Sequence, residues 1–170
     1  MHPIALFCAL TLLVSPAFAA ETAWQEVAPG VRLRLISSDR TAADGKTLLG
    51  LEIDMPTNTK TYWRVPGETG LPTELDFSAS TGVLDHEILW PYPTLDDHNG
   101  YIDYVYYGPI VLPIELTKTT GAATAEMNAV LGICSDICIP AQARFSLALD
   151  AVQPDPANDV RLRQAMALAP

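Results

Sequence analysis

Apolar and polar residues alternate with a period of two along most of this chain. Val31, Leu33 and Leu35 are separated by Arg32 and Arg34, and Leu49, Leu51 and Ile53 by Gly50 and Glu52. Leu75 and Phe77 make a shorter run. Ile102, Tyr104 and Tyr106 make another, and Ile110, Leu112 and Ile114 follow it beyond Gly108-Pro109. Met127, Ala129, Leu131 and Ile133 lead into Cys134, and Phe145, Leu147 and Leu149 come after it. Successive side chains of a strand point to opposite faces, so this period predicts strands that each bury one face. Turn-forming stretches at 38–45, 56–59, 66–72 and 96–100 separate the runs. Several short strands without alternating long helices predict an all-β fold, an immunoglobulin-like β-sandwich.

The prolines refine this picture. Pro109 and Pro113 cannot donate to a ladder, which places their segment at an edge, a bulge or a strand end. Trp90-Pro91-Tyr92-Pro93 is expected to be extended and irregular, because each proline disfavours α conformation in the residue before it. The pattern changes near the C-terminus. Asp155 suits an N-cap and Pro156 a first helical position, with Val160, Leu162, Ala165, Met166 and Leu168 on the helix that follows over 157–168. A short C-terminal helix is expected, packed on the sandwich or docked on a partner.

The first nineteen residues read as an export signal. Ile4 to Val14 is almost wholly apolar, and Ala17-Phe18-Ala19 has the small residues that signal peptidase needs. The expected organisation is a signal peptide over 1–19, one sandwich domain over 20–152 and a helical tail over 153–170. The remaining chain is long enough for one real core and has no second long apolar run. Twenty Asp and Glu against ten Lys and Arg give a net charge of -10, which argues against nucleic-acid binding.

Of three cysteines, Cys8 leaves with the signal, so the exported chain keeps Cys134 and Cys138. They lie in Cys134-Ser135-Asp136-Ile137-Cys138-Ile139-Pro140. Ser135 and Asp136 are turn residues, so the motif reads as a strand, a tight turn and a return strand, with the cysteines within disulfide reach. An oxidising compartment allows that bond. Asp136, if directed inward, would raise a nearby thiol pKa and so suit a disulfide that receives an attack. Three chemistries remain open: a working redox couple, a structural disulfide in a non-enzymatic binding or accessory domain, or a Cu(I) site with Cys134 and Cys138 as ligands. Aromatic residues can wall or cap such a site. His86 and His98 are distant in sequence and complete no zinc ligand set. No hydrolytic motif occurs. Asp85-His86-Glu87 and Asp96-Asp97 read as solvated turns.

Three segments together resemble the periplasmic N-terminal domain of the protein-disulfide reductase DsbD family, and most closely the branch with the copper-sensitivity suppressor membrane reductases. They are Tyr62-Trp63-Arg64-Val65-Pro66-Gly67-Glu68-Thr69-Gly70-Leu71-Pro72; Trp90-Pro91-Tyr92-Pro93 with Tyr106-Tyr107-Gly108 and Val111-Leu112-Pro113-Ile114; and the cysteine motif. They span residues 30–150. The resemblance implies an immunoglobulin-like sandwich and a dithiol–disulfide relay in the periplasm that needs no cofactor. It makes Cys134 and Cys138 the redox pair and Cys138 the sulfur that forms mixed disulfides. It places Tyr62, Trp63, Tyr106 and Tyr107 near the site as a cap or wall. The implied partners are a separate membrane thiol reductase as electron donor and exported thioredoxin-like or disulfide-containing clients. The domain itself is expected to be a monomer. The best-known form of the domain has a longer spacing between its cysteines than the three residues here.

Overall fold

The computed structural model describes residues 20–42, 44–98, 100–149 and 155–170. The expected signal peptide and the first residues of the expected tail lie outside them. Eleven strands and one helix follow in chain order among the described residues: β1 Gln25–Ala28, β2 Val31–Thr41, β3 Lys46–Asp54, β4 Lys60–Gly67, β5 Glu74–Asp76, β6 Val83–Ile88, β7 Thr94–His98, β8 Tyr101–Tyr107, β9 Ile110–Lys118, β10 Thr124–Cys134, β11 Cys138–Ala148 and α1 Pro156–Met166. One sheet has the order β1-β2-β3-β9-β6. The other has the order β11-β10-β4-β8-β7, with β5 paired to β10. All the strand pairings are antiparallel.

The two sheets close on one apolar layer, as expected of a sandwich. Leu33 and Leu35 of β2, Leu49, Leu51 and Ile53 of β3, and Leu112, Ile114 and Leu116 of β9 supply one side. Met127, Leu131 and Ile133 of β10 and Phe145 and Leu147 of β11 supply the other. These are the residues whose alternation marked the strands. β1, β4, β6 and β7 carry weaker alternation and were not anticipated as strands. Asp85-His86-Glu87 lies in β6 and Asp96-Asp97 in β7, so neither is a turn. Both strands end their sheets, where ladder bonds on one side suffice to hold polar sequence in extended form.

Pro113 also departs from expectation. Its strand β9 is interior, between β3 and β6. Pairing of β6 with β9 ends at Ile88 opposite Ile114, and Leu89 N then donates to Pro113 O at 2.9 Å. The N and C=O of one strand residue face the same neighbour. Pro113 therefore withholds only the reciprocal bond on the β6 side, and β6 stops there. Residues 89–93 belong to no helix or strand, in keeping with the prolines there.

Helix α1 begins as its sequence predicts. Asp155 accepts from Ala157 N and Asn158 N, both at 2.9 Å, and Pro156 follows it. The helix packs on the outer face of the five-stranded sheet, against β2, β3 and β9. Leu162 is fully buried there, and Gly50 makes the room: a Cβ on Gly50 would stand 2.5 Å from Leu162 Cδ2. Asn158 Nδ2 donates to Ala20 O, and Arg161 pairs with Glu52 at 3.2 Å. Val160 and Leu168 remain exposed, so the buried stripe is narrower than the apolar residues of this helix suggest. Leu162→Ala is expected to destabilise the protein by about 2–4 kcal/mol in urea unfolding, because it empties a buried site between helix and sheet.

Candidate functional site

β10 and β11 form a hairpin of eleven directly opposed residue pairs, from Thr124 opposite Ala148 to Cys134 opposite Cys138. Residues 135–137 make the tip, and Ser135 N donates to Ile137 O at 3.1 Å across it. The opposed cysteines are joined as a disulfide with their Cα atoms 4.1 Å apart. Strand, tight turn and return strand are the local structure expected of this motif. Asp136 lies exposed at the tip rather than turned inward.

Period two decides which way the sulfurs point. Leu131 and Ile133 face the inter-sheet core, so Cys134, one residue on, faces the outside of its sheet. Pairing extends the row across four strands: Cys138 opposite Cys134, Cys134 opposite Lys60, and Lys60 opposite Tyr107. Opposed residues share a face, so these four stand on one outer surface. Cys134 is 2% exposed and forms a small buried cluster with Tyr62 and Val105, while Cys138 is exposed. The pair is thus asymmetric, with one buried cysteine and one exposed.

Tyr62 covers the buried sulfur. Its hydroxyl lies 3.0 Å from Cys134 Sγ and 3.8 Å from Cys138 Sγ. A disulfide sulfur carries no proton, so the phenol is the donor. Two glycines grip the ring. A Cβ on Gly70 would fall 2.3 Å from Tyr62 Cδ1, and one on Gly132 would fall 3.1 Å from Cδ2. Thr73 Oγ1 donates to Tyr62 O at 3.1 Å and ties the returning segment to β4.

Beside this pocket is a polar cluster. Lys60 Nζ lies 2.6 Å from Asp96 Oδ2 and 3.7 Å from Asp103 Oδ2, and 5.6 Å over the Tyr62 ring. Tyr107 donates to Asp96 Oδ2 at 2.9 Å, and Thr69 N donates to Asp103 Oδ1 at 3.0 Å. The hydrogen bond from Lys60 holds the Asp96 carboxyl below its ordinary value, with Tyr107 assisting. Burial acts to raise Asp103, but its bonds from Thr69 and the Lys60 charge outweigh it and the net shift is downward. Burial likewise acts to lower Lys60, and the Asp96 bond with its neighbours outweighs it, leaving Lys60 raised. Burial raises Tyr107, and the bond to Asp96 adds to the shift.

Of the four aromatic candidates, only Tyr62 touches the cysteines in the contacts described. Tyr107 stands in the cysteine row and binds Asp96. Trp63 and Tyr106 lie one residue out of phase on β4 and β8, so they turn into the inter-sheet core. Tyr106 donates to Pro91 O at 2.7 Å, and Trp63 packs on Tyr104 with ring centroids 5.9 Å apart. His86 stacks on Phe77, away from the site. Among the described residues no group of three or more metal-ligating side chains converges. Lys60, Asp103 and Gly132 were not singled out from the sequence, Gly70 stood there only within a family-like segment, and Asp96 was read as part of a solvated turn. Gly132 carried a readable signal, since a glycine inside a strand marks close approach of another group.

The family model for the N-terminal domain of the thiol:disulfide interchange protein DsbD matches residues 32–150. The chain belongs to the DsbD N-terminal domain family. The solved structures include a relative, the N-terminal periplasmic domain of ScsB from Proteus mirabilis, with a TM-score of 0.70 and 30% identity. The match covers 89% of this chain and 60% of that one, so the chain spans less than two thirds of that relative. No curated protein matches. The family carries the immunoglobulin-like sandwich and the thiol:disulfide interchange theme to this DsbD-type domain, and among the described residues no helix is long and apolar enough to cross a membrane.

The paired carboxylates give a pH prediction. A carboxyl held below its unfolded value of about 3.9 stabilises the fold above that pH and loses its contribution as pH falls through the folded value. Lys60→Met removes a shared cause of both depressions. The variant is expected to be less stable than wild type at pH 7, with the gap narrowing as pH falls below about 4, as read from urea midpoints across that range.

Proposed function

We propose that this domain is a periplasmic thiol–disulfide exchange unit, relaying reducing equivalents from a separate membrane thiol reductase to exported thioredoxin-like or disulfide-containing proteins through Cys134 and Cys138. The single observation that carries this reading is the asymmetry of the pair, an exposed Cys138 bonded to a buried Cys134. Exchange requires an incoming thiolate to reach one sulfur in line with the bond that breaks. Cys138 offers that approach from solvent and Cys134 does not.

The electron count is simple. A donor thiolate attacks Cys138 Sγ, a donor–Cys138 disulfide forms, and the Cys134–Cys138 bond breaks with its electron pair on Cys134. The donor's second thiolate then attacks the donor sulfur of the mixed disulfide and frees Cys138. The donor dithiol is oxidised and the domain's disulfide reduced by two electrons. In the outward direction Cys138 attacks a client disulfide, and Cys134 resolves the mixed disulfide by attacking Cys138. Nothing in these steps needs a metal, flavin or nicotinamide on this chain.

The position of the bond also weighs against a purely structural role. A crosslink that closes a five-residue loop removes little chain entropy, on the order of 2 kcal/mol, whereas one closing a hundred residues removes more than twice that. This one closes the tip of a hairpin whose register eleven backbone pairs already hold. The leader-like first nineteen residues and the periplasmic origin of the ScsB relative support an envelope setting.

Single-cysteine variants test the proposal. Cys134→Ser, which leaves Cys138 at the surface, is expected to trap mixed disulfides with envelope proteins that a reducing agent releases on a gel. Cys138→Ser, which leaves only the buried sulfur, is expected to trap few or none. No trapping by either variant would refute the relay, and trapping by Cys138→Ser alone would reverse the assignment of the exchanging sulfur.

A further inference from the structure

Cleaving the disulfide at Cys138 leaves an electron pair on Cys134, a residue that is 2% exposed. An anion formed away from water must be stabilised by the protein, or the barrier to forming it rises. One donor in the structure is aimed at it. Tyr62 Oη stands 3.0 Å from Cys134 Sγ and farther, 3.8 Å, from Cys138 Sγ. The hydroxyl is therefore directed at the departing sulfur rather than at the one attacked.

The donor is built in rather than incidental. Tyr62 is 1% exposed, and its ring has Gly70 against one edge and Gly132 against the other. Gly70 and Gly132 are not among the positive-φ glycines, so their backbone would accept other residues. What crowds out a side chain is the tyrosine ring, together with Pro66 at Gly70 and Leu71 at Gly132. Thr73 fixes the Tyr62 carbonyl, and the opposition of Lys60 to Cys134 sets how far along β4 the ring begins. A donor held in place before the charge develops needs no reorganisation when it does, which is how an oxyanion hole lowers a barrier. The neighbouring Lys60 amine is spent on Asp96 and Asp103, so the phenol makes the direct contact with sulfur.

We propose that Tyr62 is a catalytic residue of the exchange reaction, a fixed hydrogen-bond donor that stabilises the Cys134 thiolate as leaving group and keeps it ionised for the resolving step. The role rests on the exchange reading above. As the donor–Cys138 bond forms and the Cys134–Cys138 bond breaks, the electron pair arrives on Cys134 Sγ while the Tyr62 proton stays on its oxygen and shares its hydrogen bond with the new anion. In the outward direction the same bond favours the thiolate form of Cys134, the form that attacks Cys138 to release a reduced client.

Tyr62→Phe tests this, because it keeps the gripped ring and removes only the hydroxyl. Two readouts are needed, taken at matched folding by circular dichroism. The first is the rate of disulfide reduction by dithiothreitol in native buffer. The second is the titration of Cys134 in a Cys138→Ser background, followed by thiolate absorbance against pH. Loss of a hydrogen bond to a charged sulfur is expected to slow reduction roughly tenfold and to raise the Cys134 titration by roughly one pH unit. A purely structural hydroxyl would leave the titration in place, so unchanged titration and rate overturn the proposal. Trapping of mixed disulfides by Cys134→Ser involves only Cys138. It is expected to be equal with and without the tyrosine hydroxyl, and its loss only when the hydroxyl is removed would also overturn this assignment. Failure of both Cys134→Ser and Cys138→Ser to trap a partner with Tyr62 intact would instead overturn the exchange reading beneath it.

Discussion

The register of the β10–β11 hairpin is the constraint on which the site depends. Cys134 must oppose Cys138 for the bond to form, and Cys134 must face outward for Tyr62 to meet it. Both conditions follow from the same alignment. A slip of one residue would turn the core residues of one of the two strands outward, Met127 and Leu131 of β10 or Phe145 and Leu147 of β11, exposing apolar area. The inter-sheet core thus holds the site in register although no cysteine belongs to that core. The cysteine pair sits on the far side of a sheet whose near side is packed against change.

That separation also explains the uneven burial of the two sulfurs. The outer face of the six-stranded sheet has only a small apolar cluster, Tyr62, Val105 and Cys134, bounded by Lys60, Asp96 and Asp103. Cys134 falls inside the cluster because β4 pairs with β10 at that one point. Cys138 lies on β11, the outermost strand of that sheet, with no further strand to cover it. An edge position exposes backbone and side chain alike, which is a liability in a structural strand and an opening for a sulfur that must meet a partner.

Much of the fold was legible because burial writes itself into sequence with period two. The runs at 31–35, 49–53, 127–133 and 145–149 all became core strands, and Asp155-Pro156 opened the helix. Of the strands that were missed, β1, β6 and β7 end their sheets and bury little, so nothing forces their residues to alternate. Pro113 misled because a proline forbids one hydrogen bond on one side and not a place inside a sheet. At the site, the cysteines and Tyr62 were visible from motif and resemblance. Trp63 and Tyr106 were grouped with Tyr62 and Tyr107 as neighbours in sequence, but adjacent strand residues face opposite ways, and the pairing of β4 with β8 sends one of each pair inward. The Lys60, Asp96 and Asp103 cluster joins three strands distant in sequence, and only the sheet order brings them together.

The equilibrium reduction potential of the Cys134–Cys138 pair tests the central claim most directly. It can be read from a glutathione or dithiothreitol redox series by alkylation of the freed thiols and mass. A solvent-facing couple whose departing thiolate is stabilised is predicted to lie at roughly -180 to -270 mV, among proteins that exchange disulfides. A value below about -300 mV, with the native protein resisting reduction, would mark the bond as a structural staple and contradict the account.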